Sequence, residues 1–144
     1  MSESLFITCS SCFAKNRIPA DKVSQSPKCG KCKSQVLSPS PLTLSEDTFF
    51  RFIQNNDMPV IVDFWASWCG PCQTMAPIFN NVSRALYQKV RFAKVDTEQA
   101  QSIAAHFQIR SIPSLLLFKN GKEIGRQAGV LNQQQLTAWV NQFA

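Results

Sequence analysis

The chain has 144 residues, of which 44% are hydrophobic and 17% charged, with six cysteines and a net charge of +6. This composition is typical of a soluble globular protein and excludes collagen, coiled coil and a chain that is disordered throughout. Its apolar runs are far shorter than the roughly 20 residues that cross a bilayer, which excludes a membrane-spanning helix.

A change of composition between residues 38 and 41 predicts a boundary between two parts of the chain. Pro39 and Pro41 fix the backbone and remove two amide donors, so neither a helix nor a central strand continues through them. Four of the six cysteines precede this point, whereas nearly all aromatic residues follow it. We therefore predict an N-terminal module over residues 1–40 and a main domain over residues 41–144.

The module carries two Cys-x-x-Cys pairs, Cys9 with Cys12 and Cys29 with Cys32, separated by 16 residues. This spacing is typical of a zinc site with four thiolate ligands. A segment of about 40 residues also buries too little surface to fold without such a support. Two disulfides are the alternative, but a reducing cytosol disfavours them. We expect one structural Zn²⁺, which makes the module a small zinc-ribbon-like unit.

The basic excess is concentrated in the module. Residues 1–40 carry six basic and two acidic side chains, hence +4, and residues 41–144 carry nine and seven, hence +2. Basic charge can attract nucleic acid, but no aromatic residues alternate with Lys28, Lys31 and Lys33, as a stacking surface requires. Four thiolates and one Zn²⁺ would also add −2. We therefore expect a solvated basic face and no nucleic-acid partner.

The main domain opens with a predicted helix, for which Ser45 is a good N-cap and residues 49–53 supply an apolar face. A strand is predicted over residues 60–65, because this run is almost continuously apolar and β-branched. Such a strand is covered on both faces of its sheet. Its single acid, Asp63, is therefore expected to be buried.

The rest of the main domain alternates between helix and strand patterns. Asn120 and Gly121 predict a tight hairpin, because both positions of its turn need positive φ. Asn132 and Gln135 have the spacing of a capping box at the start of the last helix. This order predicts an α/β fold, a central mixed β-sheet flanked by helices. The elements are a helix over residues 71–87, a strand over 90–95, a helix from 96 to 107, strands over 113–118 and 122–128, and the helix after 132.

A third Cys-x-x-Cys pair, Cys69 and Cys72, lies between the buried strand and the next helix. Unpaired amides and the helix dipole lower the pKa of a thiol at a helix N-terminus, which favours Cys69 as a nucleophile and Cys72 as the resolving thiol. Half of a metal site or a structural pair are the alternatives. Pro71 suits the first turn of a helix, and the strand-to-helix setting favours redox chemistry.

Residues 64–72, with the sequence Phe-Trp-Ala-Ser-Trp-Cys-Gly-Pro-Cys, resemble the active-site signature of the thioredoxin family. The resemblance implies the thioredoxin fold, a redox-active disulfide and a protein disulfide reductase that NADPH-dependent thioredoxin reductase recharges. A zinc module ahead of such a domain is similar to the bacterial thioredoxin 2 class, which suggests a role in oxidative stress. Further matching segments follow in the family's order: Ala76-Pro77 and residues 92–96, 109–115 and 128–129.

The resemblance also assigns roles to single residues. Asp63 matches the family's buried acid, which assists proton transfer at Cys72, and burial raises a carboxyl pKa in the direction that this role needs. Lys94 matches the lysine paired with that acid, and Pro113 matches the cis-proline opposite the redox pair. The positions that the resemblance assigns to substrate binding are Trp68, Gly70, Pro71, Ile112, Pro113 and Gly129.

Two other functions stay open at this point. A disulfide oxidase or isomerase could use the same fold, although Pro71 between the cysteines favours a reductase. A binding protein could recruit a partner through the zinc module and carry the redox pair incidentally. Replacing Cys69 by Ser separates a reductase, which would lose turnover, from a binding protein. We expect the protein to be cytoplasmic, since the amino terminus has no pattern of a secretory signal. We also expect a monomer whose substrates are disulfide-containing proteins.

Overall fold

A small antiparallel hairpin begins the chain in the computed structural model, which describes residues 3–144. Strand β1 (Ser4–Thr8) pairs with β2 (Lys15–Pro19), and a 3-10 helix (Ala20–Gln25) follows. The sequence predicts none of these elements, because the strands are short and their buried residues do not alternate regularly with exposed ones. Their buried side chains form a small core around the cysteines that also contains Met58 of the main domain.

The main domain is built on a five-stranded mixed sheet with the strand order β3-β5-β4-β6-β7. Strands β3, β5 and β4 are parallel to one another, whereas β6 is antiparallel to its two neighbours, β4 and β7. The mixed sheet that the sequence predicts is therefore confirmed. The strands are β3 (Leu42–Thr43), β4 (Val60–Trp65), β5 (Arg91–Asp96), β6 (Ser114–Lys119) and β7 (Lys122–Ala128).

Helices cover both faces of this sheet. One core lies between the sheet and the first and third helices, and a second core lies between the sheet and the second and fourth helices. Within the described residues, no helix combines the length and the apolar character needed to span a membrane. The helices are α1 (Phe49–Ile53), α2 (Gly70–Leu86), α3 (Gln101–His106) and α4 (Gln133–Asn141).

Two helices begin later than the sequence predicts. The N-cap of α1 is Thr48 rather than Ser45, because the Ser45 amide donates to the Thr48 hydroxyl at 2.9 Å and holds a separate turn before the helix. Helix α3 starts at Gln101 rather than just after Asp96. There the Asp96 carboxylate accepts a hydrogen bond from the Glu98 amide at 2.9 Å, which again forms a turn of its own.

The local turn and capping predictions are confirmed. Asn120 and Gly121 have φ values of 51° and 83° and connect β6 to β7. At the start of α4, the Gln135 amide donates to the Asn132 side chain at 2.8 Å, and the Asn132 amide donates to the Gln135 side chain at 3.0 Å. These signals are reliable in sequence because both partners lie within a few residues of each other.

The hairpin of the module docks against the end of the main sheet where β4 begins. The Phe6 amide donates to the Asp57 carboxylate at 2.7 Å, and the Asp57 amide donates to the Phe6 carbonyl at 2.9 Å. The Thr8 amide donates to the side chain of the buried Asn56 at 2.9 Å. The module thus lies at the amino-terminal end of β4, and Cys69 follows the opposite, carboxyl-terminal end.

Replacing Phe49 by Ala should lower the free energy of unfolding by about 3–5 kcal/mol, the usual cost of removing a buried ring. Phe49 is fully buried, and its ring centroid lies 5.5 Å from that of Phe107 and 5.8 Å from that of Phe118. Urea unfolding of the oxidised protein measures the loss. Ile124→Ala is the control, because this side chain on β7 is exposed and should cost about 1 kcal/mol or less. Equal losses would contradict the packing described here.

Candidate active site and metal centre

Cys69 and Cys72 form a disulfide at the start of α2. Cys69 is the N-cap residue, with extended backbone angles of φ −91° and ψ 112°, and its sulfur accepts a hydrogen bond from the Cys72 amide at 3.2 Å. Pro71 occupies the first turn, where its missing amide donor costs nothing. The chain reaches this turn directly from β4, so the central strand fixes the position of the redox pair.

Helix geometry, rather than exposure, distinguishes the two sulfurs. Cys69 and Cys72 are both nearly buried, with exposed fractions of 4% and 3%, so exposure does not separate them. Only the Cys69 sulfur lies at the N-cap, where the amide of Cys72 points at it. After reduction, a thiolate on Cys69 would be stabilised by that amide and by the helix dipole.

A backbone segment of another loop lies against the redox pair. The Ile112 carbonyl oxygen is 3.6 Å from the Cys69 sulfur, and the Ile112 side chain packs on the two cysteines. The peptide bond between Ile112 and Pro113 is cis, and the carbonyl of the buried Pro113 accepts a hydrogen bond from the Gly129 amide at 2.8 Å. The family resemblance assigns residues 112, 113 and 129 to substrate binding. Ile112 lies beside Cys69, and the bond from Gly129 to Pro113 joins the third residue to this loop.

Asp63 is fully buried in the middle of β4. Within residues 3–144, neither of its carboxylate oxygens has a hydrogen-bond partner. Side chains alternate along a strand, so Asp63 shares the face of Ile61, which packs in the core beneath α2. Burial raises the pKa of Asp63 to about 7, and the positive charge of Lys94 opposes this rise. A carboxyl group of this kind can exchange a proton near neutral pH.

Lys94 lies beside Asp63 in the parallel register of β5 and β4. It is half-buried, and its ammonium group is 4.9 Å from the centre of the Trp65 ring. In the described part of the chain the two residues form no ion pair within 4 Å, since the one such pair there joins Arg126 and Glu123. Lys94 therefore influences Asp63 through its charge rather than through direct contact.

The rim of the redox pair is open and partly apolar. Trp68 is 68% exposed, and its indole N–H donates to the carboxylate of Glu98 at 2.8 Å. The sequence does not point to Glu98, because 30 residues separate it from Trp68 and only the fold joins them. Apart from their own local backbone and chain neighbours, no atoms lie within 4 Å of the position that a Cβ would take on Gly70 or Gly129. A substrate chain can therefore approach the backbone at both glycines.

The four cysteines of the module meet at one point. Their sulfur atoms all lie within 4.8 Å of one another, with 3.7 Å between Cys9 and Cys32 and 3.6 Å between Cys12 and Cys29. Zinc–sulfur bonds of about 2.3 Å in a tetrahedron place the sulfurs about 3.8 Å apart. All four cysteines are free thiols rather than disulfides. The geometry and chemistry of this set fit a Zn²⁺ ion.

Backbone amides and one side chain surround these sulfurs. The Ser11 amide donates to Cys9, and the Lys31 amide donates to Cys29, each at 3.3 Å. The Asn16 side-chain amide donates to Cys29 at 3.4 Å, a contact that the sequence does not indicate. The Cys32 amide and Asn16 lower the pKa of Cys29 to about 6, whereas burial raises the pKa of Cys9 to about 11. A bound cation would favour the thiolate form of both.

Models of two known families match successive parts of the chain. The model described as "Thioredoxin" matches residues 40–142, and the model described as "Thioredoxin 2, N-terminal", a zinc ribbon, matches residues 8–34. The two matches together take in all six cysteines. The N-terminal match and the four clustered sulfurs identify the module as a zinc ribbon.

Curated relatives and a solved structure agree with these matches. Thioredoxin C-3 of Corynebacterium nephridii is 44% identical over 138 residues, which are 96% of this chain and 94% of that protein. Thioredoxin of Haemophilus influenzae is 39% identical over 70% of this chain and 94% of its own length. The crystal structure of Malassezia sympodialis thioredoxin covers 75% of this chain and 94% of its own, with a TM-score of 0.67 and 35% identity. The main domain therefore has the thioredoxin fold.

The Asp63→Asn variant should be more stable than the unaltered protein at pH 8 by about 4 kcal/mol. The folded state raises the pKa of Asp63 from 3.8 to about 7, so folding favours the protonated form. The stability of the unaltered protein therefore falls as pH rises from about 4 to about 7, and the cost stays fully present above that range. The amide side chain of the variant does not titrate.

Urea unfolding of both proteins in the disulfide form, at intervals from about pH 4 to about pH 9, measures this difference. We expect it to vanish near the acidic end of the range. A difference that stays constant over the whole range would show that Asp63 does not titrate near neutral pH in the folded protein.

Proposed function

The chain belongs to the thioredoxin family of thiol-disulfide oxidoreductases, and we propose that it acts as a protein disulfide reductase through Cys69 and Cys72. One observation carries this proposal: the Cys69 sulfur lies at the N-cap of α2, accepts the Cys72 amide and faces the Ile112 backbone. This arrangement favours a thiolate on Cys69.

The reaction needs two exchange steps. The Cys69 thiolate attacks one sulfur of a substrate disulfide, forms a mixed disulfide and releases the first substrate thiolate, which takes up a proton. Cys72 then loses its proton and attacks the Cys69 sulfur, which releases the second substrate thiol and forms the Cys69–Cys72 disulfide. Two electrons pass from the dithiol to the substrate. The proposed proton acceptor for Cys72 is Asp63, whose pKa of about 7 suits transfer in either direction.

The proposed substrate site is the rim around Cys69. An extended segment of the substrate would pair with the backbone of Ile112 next to Pro113 and lie over the open glycines. Trp68 would supply an apolar contact, and its bond to Glu98 fixes the orientation of the indole. Lys94 would tune the pKa of Asp63 by its charge. The full set of proposed contact residues is Trp68, Gly70, Pro71, Ile112, Pro113 and Gly129.

The dithiol must be regenerated after each cycle. We propose NADPH-dependent thioredoxin reductase as the electron donor, and disulfide-containing proteins as the acceptors. A reducing cytoplasm is the compartment in which the free thiols of the module and a reductase would both persist.

The proposed metal is one structural Zn²⁺, held by Cys9, Cys12, Cys29 and Cys32. Bound zinc would supply the cross-link that keeps the module folded, because the module's own apolar core is small. The proposed boundary between the module and the main domain lies at residues 38–41. Ser83 of α2 supports this segment by donating a hydrogen bond from its hydroxyl to the Pro39 carbonyl at 2.8 Å.

Cys69→Ser should abolish the reduction of insulin disulfides, because no nucleophile remains at the N-cap. Cys72→Ser should instead form a stable mixed disulfide with the substrate, because the resolving thiol is missing. Turnover is followed by insulin precipitation, and the mixed disulfide by mass spectrometry. Each assay is run with dithiothreitol and again with NADPH and thioredoxin reductase as the electron source. Turnover by Cys69→Ser above the rate without protein would refute the assigned role. If the unaltered protein were active with dithiothreitol but inactive with NADPH and thioredoxin reductase, the proposed donor would be refuted.

The purified protein should contain one zinc ion per chain by elemental analysis. Cys29→Ser should lose most of that zinc, because one thiolate ligand is missing, whereas Ser11→Ala, which changes an exposed hydroxyl beside the ligands, should keep it. A chain that binds no zinc, or a Cys29→Ser variant with unchanged zinc content, would contradict the proposed site.

A further inference from the structure

A buried positive charge lies between the module and the main domain. Arg91 begins β5, and only 3% of its surface is exposed. Its guanidinium donates to the Thr8 carbonyl at 2.7 Å and to the Ser10 hydroxyl at 2.8 Å. It also donates to the Val36 carbonyl at 3.3 Å and to the Asn56 side chain at 2.9 Å. Three of these four acceptors belong to the module. One side chain of the main domain therefore binds the module both near Cys9 and after Cys32, its last cysteine.

No carboxylate balances this charge in the described part of the chain. None lies within ion-pair distance of Arg91, and the guanidinium also lies 4.8 Å from the centre of the Phe52 ring. A buried arginine is normally paired, because removing a charge from water is expensive and neutral acceptors repay only part of that cost. The structure therefore leaves this guanidinium with four hydrogen bonds but without an ion pair to any of the described carboxylates.

The acceptors of Arg91 surround the first ligand of the tetracysteine site. Thr8 and Ser10 are the two neighbours of Cys9 in sequence. The Val36 carbonyl accepts hydrogen bonds from Arg91, from the Ser10 hydroxyl at 2.7 Å and from the Ser10 amide at 2.9 Å. The guanidinium thus binds the backbone carbonyl of the residue before Cys9 and the side-chain hydroxyl of the residue after it. Four thiolates with one Zn²⁺ carry a net charge of −2, and Cys9, one of these ligands, stands between the two residues Thr8 and Ser10 that Arg91 binds.

We propose that Arg91 is a positioning residue of the metal site and that the zinc–tetrathiolate centre is its counter-charge. This inference rests on the zinc site proposed above. It makes zinc retention by the module depend on a residue of the main domain, 59 positions beyond the last cysteine ligand in sequence. In turn, bound zinc strengthens the attachment of the module to the main domain, because the coupling between the two must be mutual.

Zinc release from the zinc-loaded full chain tests the proposal. A chromogenic chelator reports the rate for the unaltered protein and for Arg91→Met, Arg91→Lys and Arg84→Met. Loss of a partner outside the ligand shell usually weakens metal binding about 10- to 100-fold, so we expect Arg91→Met to release zinc at least about tenfold faster. Arg91→Lys keeps the charge and loses most of the hydrogen bonds, so its rate should be intermediate. Arg84 is an exposed arginine of α2, and its variant should match the unaltered protein.

A thermal unfolding cycle separates a counter-charge from a simple hydrogen-bonding residue. The unfolding midpoints of the unaltered protein and of Arg91→Met are measured with and without bound zinc. A counter-charge requires that zinc raise the midpoint of the unaltered protein more than that of the variant. If Arg91 only joined the module to the main domain by hydrogen bonds, Arg91→Met would lower the midpoint by the same amount with zinc and without zinc. An equal effect of zinc on the two proteins, or equal rates of release, would overturn the proposal.

A measurement without substitution covers the case in which Arg91→Met does not fold. Hydrogen exchange of the unaltered chain should show faster exchange of the Asp57 amide, which bonds to Phe6, when zinc is removed. The amide of Val62 in β4 should stay protected. Unchanged exchange at Asp57 would overturn the proposal. A protein that binds no zinc in any of these experiments would instead refute the metal site itself, so the two failures can be distinguished.

Discussion

The structure depends on strand β4, which is hydrogen-bonded on both edges and buried on both faces. It pairs with β5 on one side and with β6 on the other, and its side chains enter the cores of both helical layers. A strand in this position cannot shift by one residue without moving every side chain to the wrong face. The positions of both ends of β4 are therefore fixed. The redox pair follows its carboxyl-terminal end, and the zinc ribbon docks at its amino-terminal end.

The same Cys-x-x-Cys spacing occurs in two different settings in this chain, which differ in the number of sulfurs that meet. Cys69 and Cys72 begin a helix and bond to each other, since no second cysteine pair within residues 3–144 faces them. The pairs that begin at Cys9 and Cys29 lie in turns of a module with little helix, and each supplies two sulfurs to a common point. Neighbouring amides donate to the sulfurs in both settings, so the amides stabilise thiolates in general. The number of sulfurs that converge determines whether the product is a disulfide or a metal site.

The sequence predicts features that depend on near neighbours and misses features that depend on the fold. The hairpin at Asn120, the capping box at Asn132 and the bounds of β4 all follow from patterns within a few residues. The contact between Trp68 and Glu98 and the burial of Arg91 do not, because each joins segments that are distant along the chain. Strand β3 has no signal in the sequence for a similar reason: two residues carry no periodicity, and pairing with β5 alone makes them a strand.

Among the described residues, the chain buries one acid, Asp63, and one base, Arg91, and the sheet keeps them apart. Arg91 pairs in register with Val60, three residues before Asp63, which is about 10 Å along the strand. The two side chains also leave opposite faces, because Arg91 packs on Phe52 of one core and Asp63 shares the face of Ile61 in the other. Were they neighbours, the guanidinium would lower the carboxyl pKa well below neutrality and satisfy its own charge. Because they are separated, Asp63 can hold a proton near neutral pH, and Arg91 can act as the proposed positioning residue of the metal site.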